Sequence, residues 1–407
     1  MRRGRDNSGK KLTIRYSLYQ LSYFVVNAGV NAFAATYLLE KGFTTTAIGV
    51  ILASTSILSC VLQPFLGTFA DHRKGFPQPK IMAVLLGLSF LSFFLMQLLS
   101  PPLIFFGILY AAGGLMSSAT VSLSNAVCAY YSGRGIAVNF GMGAGVGSLS
   151  FSFASLGLGI LIARLSVDWM IYVSLAFLVI QIILVLGYPK AEGEDRVSEK
   201  EEPADISLPA FLRQYRIFTV VCLGMLLLAM CHAMAENYLI NLFQRLGGDS
   251  ENVGTALFIA CISAVPFLML LEKIQTKLRP RTMLRLAGLM YVLKAVLLLV
   301  ARHPAVVYAA ELLQFCTYGF LYPVIYYYVK ECVASGDMTK GQAVAVALYT
   351  FGLAAGSFLG GRLIDAFGLN IMLLTAAALA GAGALVINLF VGKSRPSGEI
   401  PAARENK

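Results

Sequence analysis

The sequence predicts an all-α membrane protein with twelve transmembrane helices in two pseudo-symmetric six-helix bundles. First, 57% of the 407 residues are hydrophobic and 13% are charged, about half the charge of an ordinary soluble domain. Second, apolar stretches long enough to cross a bilayer follow one another along the chain. Third, one long polar segment divides them into two sets of six. A soluble protein of this composition would expose large apolar patches, and a disordered chain carries fewer apolar residues, so both classes are excluded.

The predicted spans follow from length and apolarity. A membrane-crossing helix needs about 20 mostly apolar residues. The sequence has twelve such stretches, at 16–39, 46–70, 81–99, 102–127, 136–163, 168–188, 216–243, 252–272, 283–301, 304–329, 342–366 and 369–392. We therefore expect an N-terminal bundle in residues 1–188, a cytoplasmic central loop in 189–215, and a C-terminal bundle with a short cytoplasmic tail in 216–407.

The placement of lysine and arginine predicts the orientation, because basic residues concentrate in cytoplasmic loops. With a cytoplasmic N-terminus, 26 of the 32 basic residues lie on the cytoplasmic side, five lie outside, and Lys294 lies within a span. We therefore predict a multi-pass protein of the plasma (inner) membrane with both termini in the cytoplasm. The net charge of +11 does not indicate a nucleic-acid partner, because the basic residues are spread over many short segments.

Motifs for catalysis, metal binding and cofactor binding are missing from the sequence. The seven cysteines lie in or beside apolar stretches and none forms C-x-x-C, which favours packing residues over disulfides or a zinc site. There is no G-x-x-x-x-G-K-[ST] and no H-E-x-x-H, and the three histidines are scattered. No aspartate lies in the middle of a span, as an intramembrane hydrolase would require. We therefore expect no enzyme, cofactor or metal.

Similarity between the two sets of spans indicates a repeated plan. Residues 140–145 (FGMGAG) in the fifth span recur as 351–356 (FGLAAG) in the eleventh span, which is the fifth of its own set. Two repeated halves are the arrangement in which a central site alternates its exposure between the two sides of a membrane.

The loop between the second and third spans carries a known pattern. Residues 67–75 read GTFADHRKG, and residues 62–66 before them read LQPFL. The loop resembles the cytoplasmic signature of the major facilitator superfamily. With the preceding residues, it is similar to the lactose-permease branch of oligosaccharide–proton symporters. The resemblance covers essentially the whole chain and implies the major facilitator fold and transport by alternating access.

The resemblance implies a gating role for Asp71 and Arg73 in this loop. Asp71 would stand at a helix end, where it can contact basic residues or helix N-termini in one conformation and lose them in the other. The alternative is a solvated turn. Near the outer end of span 11, we expect Arg362 and Asp365 to form a local ion pair.

The sequence departs from the lactose-permease branch at that branch's sugar-binding positions. The acid of span 4, the arginine and the stacking tryptophan of span 5, the acid of span 8, the arginine of span 9, and the histidine and proton-carrying glutamate of span 10 fall respectively on Asn125, Ala144, Phe151, Cys261, Lys294, Gln314 and Thr317. The resemblance therefore does not bring lactose-type sugar recognition with it.

Four ionisable side chains are predicted at membrane depth, where they cost several kcal/mol unless paired or hydrated. They are His232 and Glu236 in span 7, Lys294 in span 9 and Glu311 in span 10. His232 and Glu236 share a helix face because they are four residues apart. Counted from the span ends, Glu236, Lys294 and Glu311 lie about 10 Å below the outer surface. We therefore expect these three side chains at one level.

Two carboxylates and one ammonium group suit proton coupling. Lys294 can neutralise one carboxylate and leave the other able to take up a proton near neutral pH. We therefore expect Glu236 or Glu311 to carry a coupling proton, with Lys294 and His232 in the same set. A purely structural salt bridge is the alternative. Sodium is a second candidate coupling ion, because carboxylates and asparagines can ligate it.

Neutral polar and aromatic side chains supply the predicted substrate contacts, which are Asn27, Asn31, Asn125, Phe151, Asn237, Asn241 and Gln314. Asn27 and Asn31 are four residues apart and, with Asn125, could line the first-half wall of a cavity. The alternative for each asparagine is a hydrogen bond between helices.

The predicted function is proton-coupled symport of a small polar organic solute by a monomer in the lipid bilayer. The resemblance favours a sugar-like or nucleoside-like substrate. A proton-driven exporter of amphipathic compounds is the first alternative, although drug-exporting relatives place a proline in a region of span 5 that has none here. A polytopic receptor or scaffold that transports nothing is the second alternative.

Overall fold

The computed structural model describes residues 2–71, 78–134, 136–190 and 207–393. This part of the chain is helical and contains no strand. Its α-helices are α1 (Arg2–Asn27), α2 (Ala34–Glu40), α3 (Thr45–Asp71), α4 (Gln78–Leu99), α5 (Leu103–Gly133), α6 (Phe140–Arg164), α7 (Trp169–Leu186), α8 (Leu208–Gln214), α9 (Arg216–Asn237), α10 (Leu239–Arg245), α11 (Ser250–Lys277), α12 (Pro280–Val300), α13 (Pro304–Leu312), α14 (Tyr318–Cys332), α15 (Met338–Phe367) and α16 (Leu369–Phe390).

These helices form the twelve predicted spans. Nine helices in the described residues are long and apolar enough to cross a membrane by themselves. The other three spans depart from that pattern: α1 begins among basic residues, the apolar part of α11 is the shorter segment Ser250–Pro266, and span 10 is divided between α13 and α14. Helix α1 starts at Arg2, so it begins well before residue 16, the predicted start of span 1.

Three spans are interrupted in mid-course, which the apolar pattern did not reveal. Span 1 contains a π-helical turn at Ala28–Ala32 between α1 and α2. Span 7 breaks at Tyr238 between α9 and α10, and span 10 has a 3-10 turn at Leu313–Phe315 between α13 and α14. Irregular backbone at membrane depth is tolerated only where protein or a water-filled cavity satisfies it. Such broken helices commonly form the binding sites of transporters.

The two halves meet near the start of α3 and the end of α15. The Asp365 carboxylate accepts hydrogen bonds from the Thr45 and Thr46 backbone N–H groups at 3.2 and 2.6 Å, and from the Thr45 hydroxyl at 2.6 Å. The Tyr238 hydroxyl donates to the Ser357 carbonyl within the second half at 2.6 Å, and it lies 3.4 Å from the Thr45 carbonyl oxygen of the first half. A Cβ added to Gly49 would stand 2.6 Å from the Ser357 carbonyl oxygen. Only glycine therefore permits this approach of α3 to α15.

A second contact between the halves joins α6 to α11. A Cβ on Gly159 would come within 2.6 Å of the Ser250 carbonyl oxygen, and one on Gly254 within 2.5 Å of the Ser155 carbonyl oxygen. The two backbones can therefore touch only because both positions are glycine. Deeper along the same pair, the rings of Phe153 and Phe258 lie 5.5 Å apart.

The described contacts between the halves lie toward one end of the bundle. We name the end at which α3 and α11 finish and α6 and α15 begin the terminal face, because an even number of spans returns both termini to it. The other end is the opposite face. In the described part of the chain, these contacts close the cleft between the halves at the opposite face.

Candidate functional site

Lys294 is the centre of a buried charged cluster. Its ammonium donates to Glu236 Oε1 at 2.6 Å, to Glu311 Oε2 at 2.8 Å and to Gln314 Oε1 at 2.8 Å. Helix α12 supplies the lysine, α9 supplies Glu236, and the broken span 10 supplies the other two side chains. We call these four residues the Lys294 cluster. The structure therefore brings together the three charged residues that the sequence places at one depth.

The cluster carries more negative than positive charge. Lys294 is 3% exposed and Glu311 is 0% exposed, so water contributes little to either group. Two carboxylates and one ammonium leave one negative charge unbalanced. The second oxygen of Glu311, Oε1, is buried and receives no hydrogen bond. The arrangement can thus accept one proton.

His232 lies beside the cluster but not in it. Its Nδ1 is 3.8 Å from Glu236 Oε1, too far for a hydrogen bond, and this nitrogen has no other partner. The imidazole ring stacks on Tyr318 with centroids 5.2 Å apart, and it meets Tyr291 edge-on at 6.1 Å. The other titratable groups that interact with the cluster are Cys231 from α9, Cys261 from α11 and Tyr291 from α12.

The break in span 10 lies next to the cluster because it carries Gln314. The Thr317 hydroxyl lies 3.2 Å from the Leu313 carbonyl oxygen, 3.4 Å from the Gln314 carbonyl oxygen and 3.3 Å from Gln314 Oε1. Both carbonyl groups also accept backbone N–H bonds, Leu313 from Cys316 and Thr317 and Gln314 from Thr317, so the hydroxyl is an additional polar group at the turn. Thr317 was singled out in the sequence only as the position of a missing glutamate, and its contacts give it a place in this turn.

Neutral polar side chains follow one another along α1 in the first half. Asn31 donates to Asn27 Oδ1 at 2.6 Å across the π-helical turn, and both side chains are half-buried. Two helical turns toward the terminal face, Gln20 donates to the Tyr16 hydroxyl at 2.6 Å. The sequence prediction missed Gln20 and Tyr16, although their positions seven and eleven residues before Asn27 are the helical spacing that could have found them.

The other predicted substrate contacts are divided between the halves. In the first half, Asn125 is exposed on α5, and Phe151 on α6 meets Phe24 edge-on at 6.4 Å. In the second half, Asn237 donates to the Ser357 hydroxyl at 2.7 Å and so joins α9 to α15. Asn241 lies beyond the break in span 7, and its Oδ1 is buried without a partner. Of the predicted substrate contacts in the second half, Gln314 bonds Lys294, whereas the described bond of Asn237 goes to Ser357.

The predicted gating residues fall at the limit of the described chain. Asp71 is the last residue of α3, but its side chain, like the whole of Arg73, lies outside the described residues. The predicted ion pair between Arg362 and Asp365 is wrong, because Asp365 binds the start of α3 instead.

Comparison with known families identifies the chain. The sequence profile described as the MFS_1 like family matches residues 13–374. The chain belongs to this family. It is therefore a secondary transporter of the major facilitator type and an integral, multi-pass membrane protein, and it is not an enzyme.

Solved structures of similar fold are also transporters. A mutant of the nucleoside transporter NupG has a TM-score of 0.80 at 14% identity, covering 94% of this chain and 99% of that one. A second NupG structure has a TM-score of 0.75 at 15% identity, with coverages of 94% and 98%. A bacterial homologue of the human lysosomal transporter Spinster, in an inward-facing and occupied conformation, has a TM-score of 0.71 at 12% identity, with coverages of 95% and 97%. At these identities the likeness shows the fold alone. No curated protein matches the sequence.

Proposed function

We propose that this MFS_1-like transporter couples uptake of a small polar organic solute to protons, and that the Lys294 cluster carries the coupling proton. The observation that carries the proposal is the buried set of two carboxylates held by one ammonium. Charged groups at membrane depth are costly, so a set with one unbalanced charge is expected to serve a function. Glu311 is the first candidate for the proton because its Oε1 has no donor.

Protonation changes the charge of the cluster and therefore the packing that the second half prefers. With a proton on Glu311, the set is neutral and its bond to Lys294 weakens, since a charge-assisted bond becomes an ordinary one. The helices α12 and α13 are then held together less tightly. A proton that binds one conformation better than the other shifts the equilibrium between them. This supports a carrier in which the protonated cluster favours exposure of the cleft to one side of the membrane and the deprotonated cluster favours exposure to the other side.

The substrate class proposed first is nucleoside-like, with a sugar-like solute as the alternative. Two of the similar folds belong to a nucleoside transporter. In the first half, Gln20, Asn27 and Asn31 offer neutral amide donors and acceptors, which suit hydroxyl and carbonyl groups better than ions. The charges that grip sugars in the lactose-permease branch are replaced here, for example by Asn125 and Cys261. The proposed solute is therefore uncharged and rich in oxygen.

The test is solute uptake into proteoliposomes under an imposed pH gradient. We expect uridine or lactose to accumulate in wild-type vesicles when the outside is more acidic. Glu311→Gln removes the proton site but keeps the shape of the side chain, so it is expected to abolish pH-driven accumulation and to leave solute exchange. Glu331→Gln is the matched control, because Glu331 pairs with Arg281 at 2.8 Å outside the cluster, and it should accumulate solute like the wild type.

Several outcomes would contradict the proposal. If pH-driven accumulation survives in both Glu311→Gln and Glu236→Gln, the cluster does not carry the proton. Accumulation that follows a sodium gradient and ignores pH would assign the coupling to sodium. Extrusion of amphipathic dyes without uptake of either solute would favour the exporter, and solute binding without flux would favour the receptor.

A further inference from the structure

We propose that Gln314 is an exchangeable ligand of Lys294, which an oxygen atom of the substrate displaces when it binds. The inference rests on the proposed function, because it assigns a step of substrate binding to the same cluster. It differs from the sequence prediction, in which Gln314 grips the substrate directly. Here Gln314 competes with the substrate for Lys294. When the substrate displaces Gln314, span 10 loses one of its bonds to Lys294.

Lys294 has no free donor for a substrate. An ammonium group has three N–H donors and no acceptor. All three are used, by Glu236, Glu311 and Gln314 at 2.6 to 2.8 Å. A substrate oxygen can therefore reach the ammonium only by replacing one of these ligands.

The three hydrogen bonds of Lys294 differ in strength. Lys294 holds two carboxylates through pairs in which both partners are charged, whereas the Gln314 amide is neutral. Bonds between two charged groups are the stronger class, the more so where water is excluded. Gln314 is therefore the ligand that leaves at the lowest cost. Its oxygen keeps a second donor nearby in the Thr317 hydroxyl at 3.3 Å, so displacement does not strand a buried acceptor.

Gln314 lies at the break in span 10. It lies within the 3-10 turn Leu313–Phe315, between two helical pieces of span 10. While Lys294 holds the amide, this turn is tied to α12. Once the amide is released, only Glu311 in α13 still ties span 10 to Lys294, while α14 stays paired with α12 through Arg281 and Glu331 at 2.8 Å. Substrate binding thus releases the turn between α13 and α14 from Lys294.

The chemistry of the exchange restricts the substrate. The group that replaces the amide must accept a hydrogen bond from an ammonium, so a hydroxyl or carbonyl oxygen fits. A cationic group has no acceptor for the Lys294 N–H, and a carboxylate would add a third negative charge beside Glu236 and Glu311. The exchange therefore selects neutral solutes that carry ribose-like hydroxyl groups or base-like carbonyl groups.

The test separates a competitor from a direct substrate ligand by the sign of the change in KM. Gln314→Met keeps the length of the side chain and removes its oxygen. We expect the KM for uridine or lactose, whichever the wild type transports, to fall about two- to tenfold, the range that corresponds to one net hydrogen bond. The maximal uptake rate should fall as well, because binding no longer releases the turn. Gln342→Met is the matched control, since Gln342 bonds the Tyr326 carbonyl of span 10 outside the cluster, and it should leave KM unchanged.

A second variant tests the inference if Gln314→Met does not fold. Thr317→Val keeps the shape of Thr317 and removes the second donor to Gln314, so displacement becomes harder and KM should rise while the protein stays folded. A higher KM in Gln314→Met would overturn the inference and leave proton-coupled transport intact. An unchanged KM in both variants would also overturn it. If the wild type moves neither solute, the proposed function fails and the inference fails with it.

Discussion

At the scale of single residues, the central fact is that one lysine holds two acids in a buried site. Burial of an ion pair is weak evidence for stability, because the loss of hydration offsets much of the attraction. The effect of such a set on stability becomes large when one partner is removed. Removing the lysine would leave Glu236 and Glu311 facing each other in a site from which water is largely excluded.

We therefore predict that Lys294→Met lowers the free energy of unfolding by about 3–5 kcal/mol, the cost of breaking a buried pair by removing one partner. Thermal unfolding of the purified protein in detergent measures this as a lower Tm. Adding Glu236→Gln and Glu311→Gln to the same chain should restore most of the loss. Lys41→Met is the control: Lys41 pairs with Asp168 at 2.7 Å, but the two side chains are 27% and 28% exposed, so its loss should cost less than about 1 kcal/mol. A drop of similar size in both single variants would contradict the argument.

At the scale of helices, the contact between α3 and α15 closes the opposite face. Asp365 accepts two backbone N–H groups and one hydroxyl at the start of α3. It acts as an N-cap supplied by another helix, at the end where the helix dipole favours a negative charge. The cap joins the two halves, so it exists only while the opposite face is closed. It therefore stabilises this conformation without affecting the interior of either half.

Asp365→Asn keeps a capping oxygen and removes the negative charge, so it is expected to shift the conformational equilibrium toward opening of the opposite face by roughly two- to fivefold, which corresponds to the ~0.3–1 kcal/mol of a charge at a helix N-terminus. Spin labels on Glu40→Cys and Phe367→Cys, in a background without native cysteines, measure the distance across this face. The population at longer distance should grow. Asp168→Asn removes a carboxylate from the same face but within the first half, and it should leave the distribution unchanged. An equal response from both variants would assign the effect to surface charge instead of the cap.

At the scale of the whole molecule, the halves of this carrier are joined at the opposite face, and alternating access then requires the cleft to open toward the terminal face. The glycine contacts of α3 with α15 and of α6 with α11 lie on the other side of the Lys294 cluster from this opening. The cluster therefore lies beneath a closed face. Which compartment the opening meets depends on the orientation of the chain in the membrane, and the distribution of basic residues predicts the cytoplasm.

Single cysteines on the two faces test this orientation. Glu40 at the opposite face and Lys80 near the terminal face are both exposed. In intact cells, a membrane-impermeant maleimide should label Glu40→Cys from outside and should reach Lys80→Cys only after the membrane is permeabilised. The reverse pattern would place both termini outside and would turn the terminal face toward the exterior.

The sequence by itself determined the spans and the level of the charged residues. Hydrophobic length sets where a chain crosses a bilayer, and each crossing helix rises by a fixed amount per residue, so the depth of Glu236, Lys294 and Glu311 follows from counting. Only the tertiary structure decided which side chains meet. The third ligand on Lys294, the break at Leu313–Phe315 and the bond of Asp365 to α3 depend on how helices rotate and approach. Apolar patterning carries little information about rotation in a membrane, because lipid and protein interior are similarly apolar.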